Sequence, residues 1–438
     1  MNNNVNTNIE SLLAKVRSGI RINASEPVVD QDVHAPDASK YPEYALVEGI
    51  KSLYSDNNAI SNPYFLARSG EVSSNLQIAG SDYVTFSNYN YLGLSHDPRV
   101  KAAAHDAIDQ YGCHAGAARM VGGEIELHTQ LEHELAEFTG FEAVSVGVGG
   151  YSANVSVIGY LLDKQDLIIH DEYMHNSAIM GSVMSGARRI AFAHNDMAAL
   201  DRLLSENRKH YRRALILVEG AYSMDGDLVD LPGVVALKKK HGAWLMIDEA
   251  HSIGTVGKTG RGVCEHFAMD TAEVDLIIGT LSKSFASCGG FVAGKKQLIE
   301  LLHYFCPGLL LYSTGISPAN TAAALAAVSL ARAEPERVKR LQYNAQRFKE
   351  MAEERGLDCR SSLAGVPIVP LMIKDERALE LMSKLLNNGI IAHAVMHPVV
   401  PREAARLRCF ISHDHDETMF AHTLDLLVED ACTAPNNR

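Results

Sequence analysis

Short apolar runs alternate with amphipathic stretches through the middle of the chain, and that alternation predicts the fold. Apolar runs at residues 144–148, 167–169, 214–218, 243–247 and 274–278 read as buried strands. Between them lie helical patterns. Residues 100–111 and 126–139 form two, the second with Leu127, Leu131, Leu135 and Phe138 on one face. Others cover 155–162, open near Met174–Ser177, and cover 234–241. Strand-helix alternation of this kind predicts a largely parallel α/β sheet with helices on both faces. Beyond about residue 330 the pattern changes. A long charged helix over 335–355 precedes strands at 368–373, 392–396 and 406–411, with helices at 377–386 and 417–428. Pro370 removes a ladder donor and so predicts an edge position for its strand. The expected organisation is an arm over 1–60, a large domain over 61–330 and a smaller α+β domain over 331–438.

The arm has its own pattern. Ile9, Leu12, Leu13 and Val16 recur at helical spacing, and residues 24–40 are polar and proline-containing, as in a linker. A dimer-packing arm, a docking helix for a partner protein and a frayed tail all fit. Residues 83–86 read as a strand, followed by Ser87-Asn88-Tyr89-Asn90-Tyr91-Leu92-Gly93-Leu94, where dense polar aromatics suit either a binding wall or a packed corner.

Composition narrows the class. Apolar residues make up 47% and charged residues 21% of the 438, which is ordinary for a globular enzyme. A net charge of −13 argues against a nucleic-acid binder. The seven cysteines are scattered and form no CxxC pair, which favours reduced thiols in a cytoplasm over disulfides or a zinc site. No metal site is expected. The opening Met1-Asn2-Asn3-Asn4 is polar, so no secretory leader is expected, and no apolar run reaches the ~20 residues of a membrane helix.

The chemistry gathers after the strands, where parallel sheets place their ligands. Gly279-Thr280-Leu281-Ser282-Lys283-Ser284 follows one apolar run. A lysine there is either an exposed loop residue or an amine that captures an aldehyde cofactor. Asp248 ends another run, in Asp248-Glu249-Ala250-His251. Nucleotide-driven helicases spell the same tetrad, but here Gly257-Lys258-Thr259 comes after it, and Ser252 stands where a phosphate loop needs its first glycine. Read as one pocket, the loops suit pyridoxal phosphate. Asp248 can hold a pyridinium nitrogen protonated, and Lys283 supplies the amine. Gly150, Tyr151 and Thr280 can bind a phosphate at a helix start. His175 can stack on the ring, and Ser223 and His251 can reach its phenolic oxygen. Each histidine alone reads more readily as a satisfied structural residue; the order and strand-end placement of all these groups together favour the pocket.

Four motifs carry a resemblance: Tyr-Asn-Tyr-Leu-Gly at 89–93, Glu-Gly-Ala-Tyr-Ser-Met-Asp-Gly-Asp at 219–227, Asp-Glu-Ala-His-Ser-Ile-Gly at 248–254 and Gly-Thr-Leu-Ser-Lys-Ser-Phe-Ala-Ser at 279–287. Over about residues 60–430 the chain resembles the α-oxoamine synthase family of fold-type-I pyridoxal-phosphate enzymes, which includes 8-amino-7-oxononanoate synthase and serine palmitoyltransferase. The resemblance implies that Lys283 is the Schiff-base lysine, Asp248 the ring-nitrogen partner, His175 the stacking residue, and Ser223 and His251 the phenolic-oxygen contacts. It implies that Thr280, Gly150 and Tyr151 cup the phosphate, that Ser313 and Thr314 reach the neighbouring subunit's phosphate in a homodimer, and that Arg408 clamps the amino acid's carboxylate. It also implies the reaction: decarboxylative condensation of an amino acid with an acyl thioester, carried by coenzyme A or an acyl carrier protein, giving an α-amino ketone.

The chain departs from the family at Gly112-Cys113-His114-Ala115-Gly116-Ala117-Ala118-Arg119, where more glycine is usual, and at Met174-His175-Asn176-Ser177. The extra side chains, especially His114, change the wall where the acyl chain or its carrier enters, and Tyr89 is a further expected substrate contact. These departures resemble serine palmitoyltransferase and the synthases that release acyl chains from polyketide-type carriers. Another pyridoxal-phosphate reaction such as transamination, or a non-catalytic synthase subunit, are the alternatives.

Overall fold

The computed structural model describes residues 63–397 and 399–432, with a few short stretches between 37 and 51. The helix expected at Ile9–Val16 lies outside the described residues, as does most of the expected linker. Of that linker, Ala38–Lys40 form one 3-10 turn capped by Asp37.

Three strands open the described chain: β1 (Arg68–Ser69), β2 (Asn75–Ile78) and β3 (Ser81–Thr85). Helix α1 (Pro98–Tyr111) follows, with Pro98 in its first turn and Asp97 accepting from the Arg99 amide, a favourable start for a helix. Helix α2 (Glu126–Thr139) spans the predicted residues and buries Leu131, Leu135 and Phe138. Gly140 ends it in the left-handed region, at φ 78°.

The large sheet then begins. Its members are β4 (Ala143–Gly147), β5 (Leu167–Asp171), β6 (Arg188–Phe192), β7 (Ala214–Glu219), β8 (Trp244–Asp248), β9 (Leu276–Thr280) and β10 (Gly290–Gly294). They lie in the order β4-β10-β9-β8-β7-β5-β6. All neighbours are parallel except β10, which runs antiparallel to both β4 and β9. Every residue of β5, β7 and β9 is buried, as expected of strands covered on both faces. Helices α3 (Gly150–Leu161), α4 (Asn176–Ser185), α5 (Met197–Asn207), α6 (Leu231–His241), α7 (Lys296–Phe305) and α8 (Pro318–Ala333) cover it. Two apolar layers result. Ile169, Ile216, Val218, Ile247 and Ile277 belong to one, and Ile168, Leu215, Leu217, Met246 and Ile278 to the other.

After the long helix α9 (Glu336–Glu354) come β11 (Ile368–Met372), helix α10 (Ala378–Asn387), β12 (Ile390–Ile391), β13 (His393–Val395), β14 (Arg406–Phe410) and helix α11 (Glu417–Cys432). The sheet order β11-β14-β13 puts Pro370 on an edge strand, where its missing N–H costs nothing. Phe348, Leu371, Leu407 and Phe420 form this region's core. Phe86 belongs to the same core, and β12 pairs in parallel with β3, Ile390 opposite Val84. We therefore propose that the smaller unit draws on both ends of the described chain, rather than beginning at residue 331.

Candidate active site

The strand ends bring the predicted residues together. Asp248 closes β8 and is 6% exposed. Its Oδ2 accepts from Asn154 Nδ2 at 2.7 Å, and its Oδ1 accepts from the Ala250 amide at 3.0 Å. The same Asn154 amide group donates to Ser177 Oγ at 2.9 Å. Ser177 Oγ lies 2.7 Å from His175 Nδ1, and the Ser177 N–H points at that nitrogen at 3.2 Å, so His175 caps α4 while its ring borders the site. Burial holds the His175 imidazole below its ordinary value, against the pull of Asp248.

Lys283 stands three residues past β9. Its Nζ lies 2.9 Å from His251 Nε2, and His251 Nδ1 lies 2.8 Å from the Tyr91 hydroxyl. Burial drives His251 well below its ordinary value, so this ring is neutral. Burial also lowers the Lys283 amine, to about 8, although Asp248 and Glu219 favour its charge. That is a useful state, because a neutral amine is the nucleophilic form. The Tyr89 ring lies 5.3 Å below Lys283 Nζ and packs edge-on against Phe410.

Arg408 of β14 stacks over the same Phe410 ring at 4.7 Å and donates from Nη1 to the Ser223 carbonyl at 3.2 Å. The Ser223 amide points at Glu219 Oε2, 3.4 Å away. Gly150 opens α3, whose first N–H groups have no partner inside the helix. A Cβ at Gly150 would lie 3.2 Å from the Thr280 side chain, and one at Gly290 would sit 2.4 Å from the Gly149–Gly150 backbone. At Gly290 only glycine permits this approach, and Gly150 at the start of α3 lies against Thr280, whose hydroxyl is 2.8 Å from that of Ser282.

Other predicted residues stand apart. His114 is exposed, and its Nδ1 accepts from the Gly116 amide at 2.8 Å. Ser313 and Thr314 lie beside the Ala118 segment, with Thr314 bridged to Ala118 and the Gly315 amide bonded to Ala117. Neither joins the Thr280 cluster within this chain. Three residues had no predicted role. Tyr91 is fully buried against His251, Asn154 holds Asp248, and Glu219 lies opposite Asp248 in the β7–β8 register. Each sits inside a stretch that was legible, but only the fold pairs them.

Two buried atoms flanking Asp248, Asn154 Oδ1 and Glu219 Oε1, have no hydrogen-bond partner within the protein. Unsatisfied buried polar atoms are costly and point to a missing ligand. With an acid at one end, a nucleophilic amine at the other and free amides at a helix start, the residues fit pyridoxal phosphate. Fold and site together define a pyridoxal-phosphate-dependent enzyme of fold type I.

The family model for aminotransferase class I and II matches residues 81–423. The 8-amino-7-oxononanoate synthase of Symbiobacterium thermophilum is 42% identical over 340 residues, covering 77% of this chain and 86% of its own. That of Petrotoga mobilis is 41% identical over 350 residues, covering 79% and 88%. Among solved structures, the serine palmitoyltransferase of Sphingomonas wittichii matches with a TM-score of 0.85 at 28% identity, over 91% of this chain and 98% of its own. The 8-amino-7-oxononanoate synthase of Francisella tularensis matches with a TM-score of 0.68 at 25% identity, over 80% and 98%. The chain belongs to the α-oxoamine synthase family. Its reaction is the pyridoxal-phosphate-dependent decarboxylative condensation of an amino acid with an acyl thioester. Among the described residues no helix is long and apolar enough to cross a membrane, and no group of metal-ligating side chains is assembled.

Proposed function

We propose that the strand-end cluster is the complete chemical centre of this condensation, with each step assigned to a named side chain. The observation that carries the reading is the Tyr91–His251–Lys283 chain placed beside Asp248. Lys283 would hold the cofactor through its amine and would take the substrate's α-proton. An amine lowered to about 8 is poised for both tasks near neutral pH. Bound pyridoxal phosphate supplies the electron sink that lets the amino acid's α-carbon attack a thioester and later shed carbon dioxide. Asp248, held on both oxygens, pairs with the ring nitrogen, and His175 covers the ring. Ser223 and His251 take its phenolic oxygen. Thr280 with the Gly150 and Tyr151 amides holds the phosphate. Arg408 orients the amino acid's carboxylate through a planar fork of donors. Tyr89 and His114 border the path of the acyl thioester.

The working unit is a homodimer in this reading. Exposed Met120, Val121, Tyr151, Tyr304, Phe305 and Tyr312 support it, because large apolar side chains clustered near one site call for a cover. Ser313 and Thr314 then serve the partner's phosphate rather than their own. Four buried and two exposed cysteines are free thiols, which supports a cytoplasmic setting. The acyl group arrives on coenzyme A or on a carrier protein.

The test is a titration of the cofactor-loaded protein with glycine and L-amino acids, followed by visible absorption. One amino acid should shift the bands saturably and then release carbon dioxide when an acyl thioester is added. A 2-oxo acid product without carbon dioxide would overturn the reading in favour of transamination. Sedimentation tests the dimer. The wild type should run at twice the chain mass, and Val121→Asp with Tyr312→Asp should run as a monomer with impaired cofactor retention.

A further inference from the structure

One histidine outside the chemical centre is gripped from both sides. His194 follows β6. Its Nδ1 lies 3.0 and 3.1 Å from the two Asp171 carboxylate oxygens, and its Nε2 lies 2.8 Å from Asp227 Oδ2. A neutral imidazole has one N–H and one lone pair, so it cannot donate to carboxylates on both sides. The ring is therefore an imidazolium. Burial opposes that charge, but the bonds to Asp171 and Asp227 outweigh it and lift the group to about 10. Tyr173 stacks on the ring at 4.4 Å and Tyr222 meets it edge-on at 4.4 Å, which fixes its plane.

The three charged groups come from three strand ends. Asp171 ends β5, His194 follows β6, and Asp227 closes the turn after β7. Because β5 lies between β7 and β6, the imidazolium ties the ends of three adjacent strands together. Asn195 reinforces the tie, with its amide on Asp171 Oδ2 at 3.0 Å and its Nδ2 on Asp227 Oδ2 at 3.2 Å and the Leu228 carbonyl at 2.9 Å.

The turn so held runs from Tyr222 to Asp227 and contains Ser223. Within it, the Tyr222 amide donates to the Asp227 carbonyl and the Gly226 amide to the Tyr222 carbonyl, each at 2.9 Å. Gly226 has φ +70°, and a Cβ there would lie 2.0 Å from the Ile368 carbonyl, so the turn is pressed against β11. Its other side meets β14. Arg406 pairs with Asp225 and donates to the Met224 carbonyl at 3.2 Å, and Arg408 Nη1 reaches the Ser223 carbonyl at 3.2 Å and Met224 Sδ at 3.5 Å. The turn is thus a spacer between the imidazolium and the guanidinium of Arg408.

We propose that His194 is a positioning residue for the amino-acid substrate: its two-sided grip on Asp171 and Asp227 fixes the 222–227 turn, and through Ser223 and Met224 that turn sets where Arg408 presents its guanidinium. The inference rests on the reading of Arg408 as the carboxylate clamp. His194 itself touches neither substrate nor cofactor. Without its charge, the buried Asp171 and half-buried Asp227 carboxylates would face each other with no cation between them and drive the turn off β14.

Two experiments on the cofactor-loaded protein decide it. Nitrogen-15 NMR of the imidazoles should show His194 doubly protonated from about pH 6 to about pH 9, where an ordinary histidine has titrated. A His194 signal that titrates near pH 6.5 would overturn the proposal, and this measurement needs no variant. In the second, His194→Gln should raise the half-saturating amino-acid concentration about tenfold or more, with a smaller loss of cofactor affinity because Ser223 lies in the same turn, while kcat changes by less than about twofold. Adding Asp227→Asn removes the stranded anion and should recover most of the lost affinity. An unchanged half-saturation in His194→Gln, or equal losses in cofactor binding and kcat, would overturn it. If His194→Gln does not fold, Asp227→Asn alone carries the test and should weaken amino-acid binding by a smaller factor. A protein that binds neither pyridoxal phosphate nor amino acids would overturn the reading of the site, and the positioning role with it, while His194 still registered as an imidazolium.

Discussion

The floor of the site and its rim are built on different principles. The floor consists of strand ends, with Asp248, His251 and Lys283 buried or half-buried and bonded to one another or to Asn154 and Tyr91. The rim consists of the loops around 112–123 and 312–314, where His114, Val121, Tyr312 and Thr314 are exposed. Burial lowers the Lys283 amine and the His251 imidazole from their ordinary titration. The lesson is that one chain gathers and buries its own acid, imidazole and amine at the strand ends, whereas its entrance loops stay exposed, which is where the proposed second subunit and acyl carrier would act.

The comparison breaks if floor and rim substitutions have similar effects. Lys283→Ala should give the largest loss, about a thousandfold or more in turnover, measured by carbon dioxide release. Arg408→Ala should come next, raising the amino-acid KM by roughly 10- to 100-fold and leaving cofactor binding intact, because a charged hydrogen-bonding partner is lost only to the substrate. His114→Ala should be smallest. We expect less than about threefold change in amino-acid KM, with any effect confined to the acyl thioester, since this exposed ring bonds only its own turn. A His114→Ala loss as large as that of Arg408→Ala would place the rim inside the chemical centre.

A pH series sharpens the same contrast through stability. His194 rises from an ordinary 6.5 to about 10 in the folded chain. A raised value means that the folded state binds the proton more tightly, so the stabilisation is full below about pH 6.5 and is lost as pH climbs toward 10. Thermal melts should therefore show the wild type falling across that window more steeply than His194→Gln. Parallel curves would remove the imidazolium from the account.

Much of the floor was legible in the chain. Asp248 closes one apolar run and Lys283 follows another within a few residues, and in a parallel sheet that placement gathers them at one edge. The period of Leu131, Leu135 and Phe138 marked α2 to its ends. Other parts depended on contacts that sequence spacing does not encode. Residues 290–294 do not stand out as a strand in the sequence, and the missing side chains of Gly290 and Gly294 are what let β10 pack between β4 and β9. The run Arg188–Phe192 alternates weakly because it lies at the sheet's edge. Asn154 and Glu219 stood inside recognised stretches, but only the packing of α3 and β7 against β8 shows that they flank Asp248. The pairing of β3 with β12 joins segments far apart in sequence, so local pattern could not place residues 64–86 with the C-terminal core.

The central claim is that Lys283 carries the cofactor. Loading the protein with pyridoxal phosphate, reducing it with borohydride and mapping its peptides by mass spectrometry tests this most directly. The account predicts one pyridoxyl group per chain, on Lys283. A label on another lysine, or spread over several surface lysines while Lys283 stays unmodified, would contradict it.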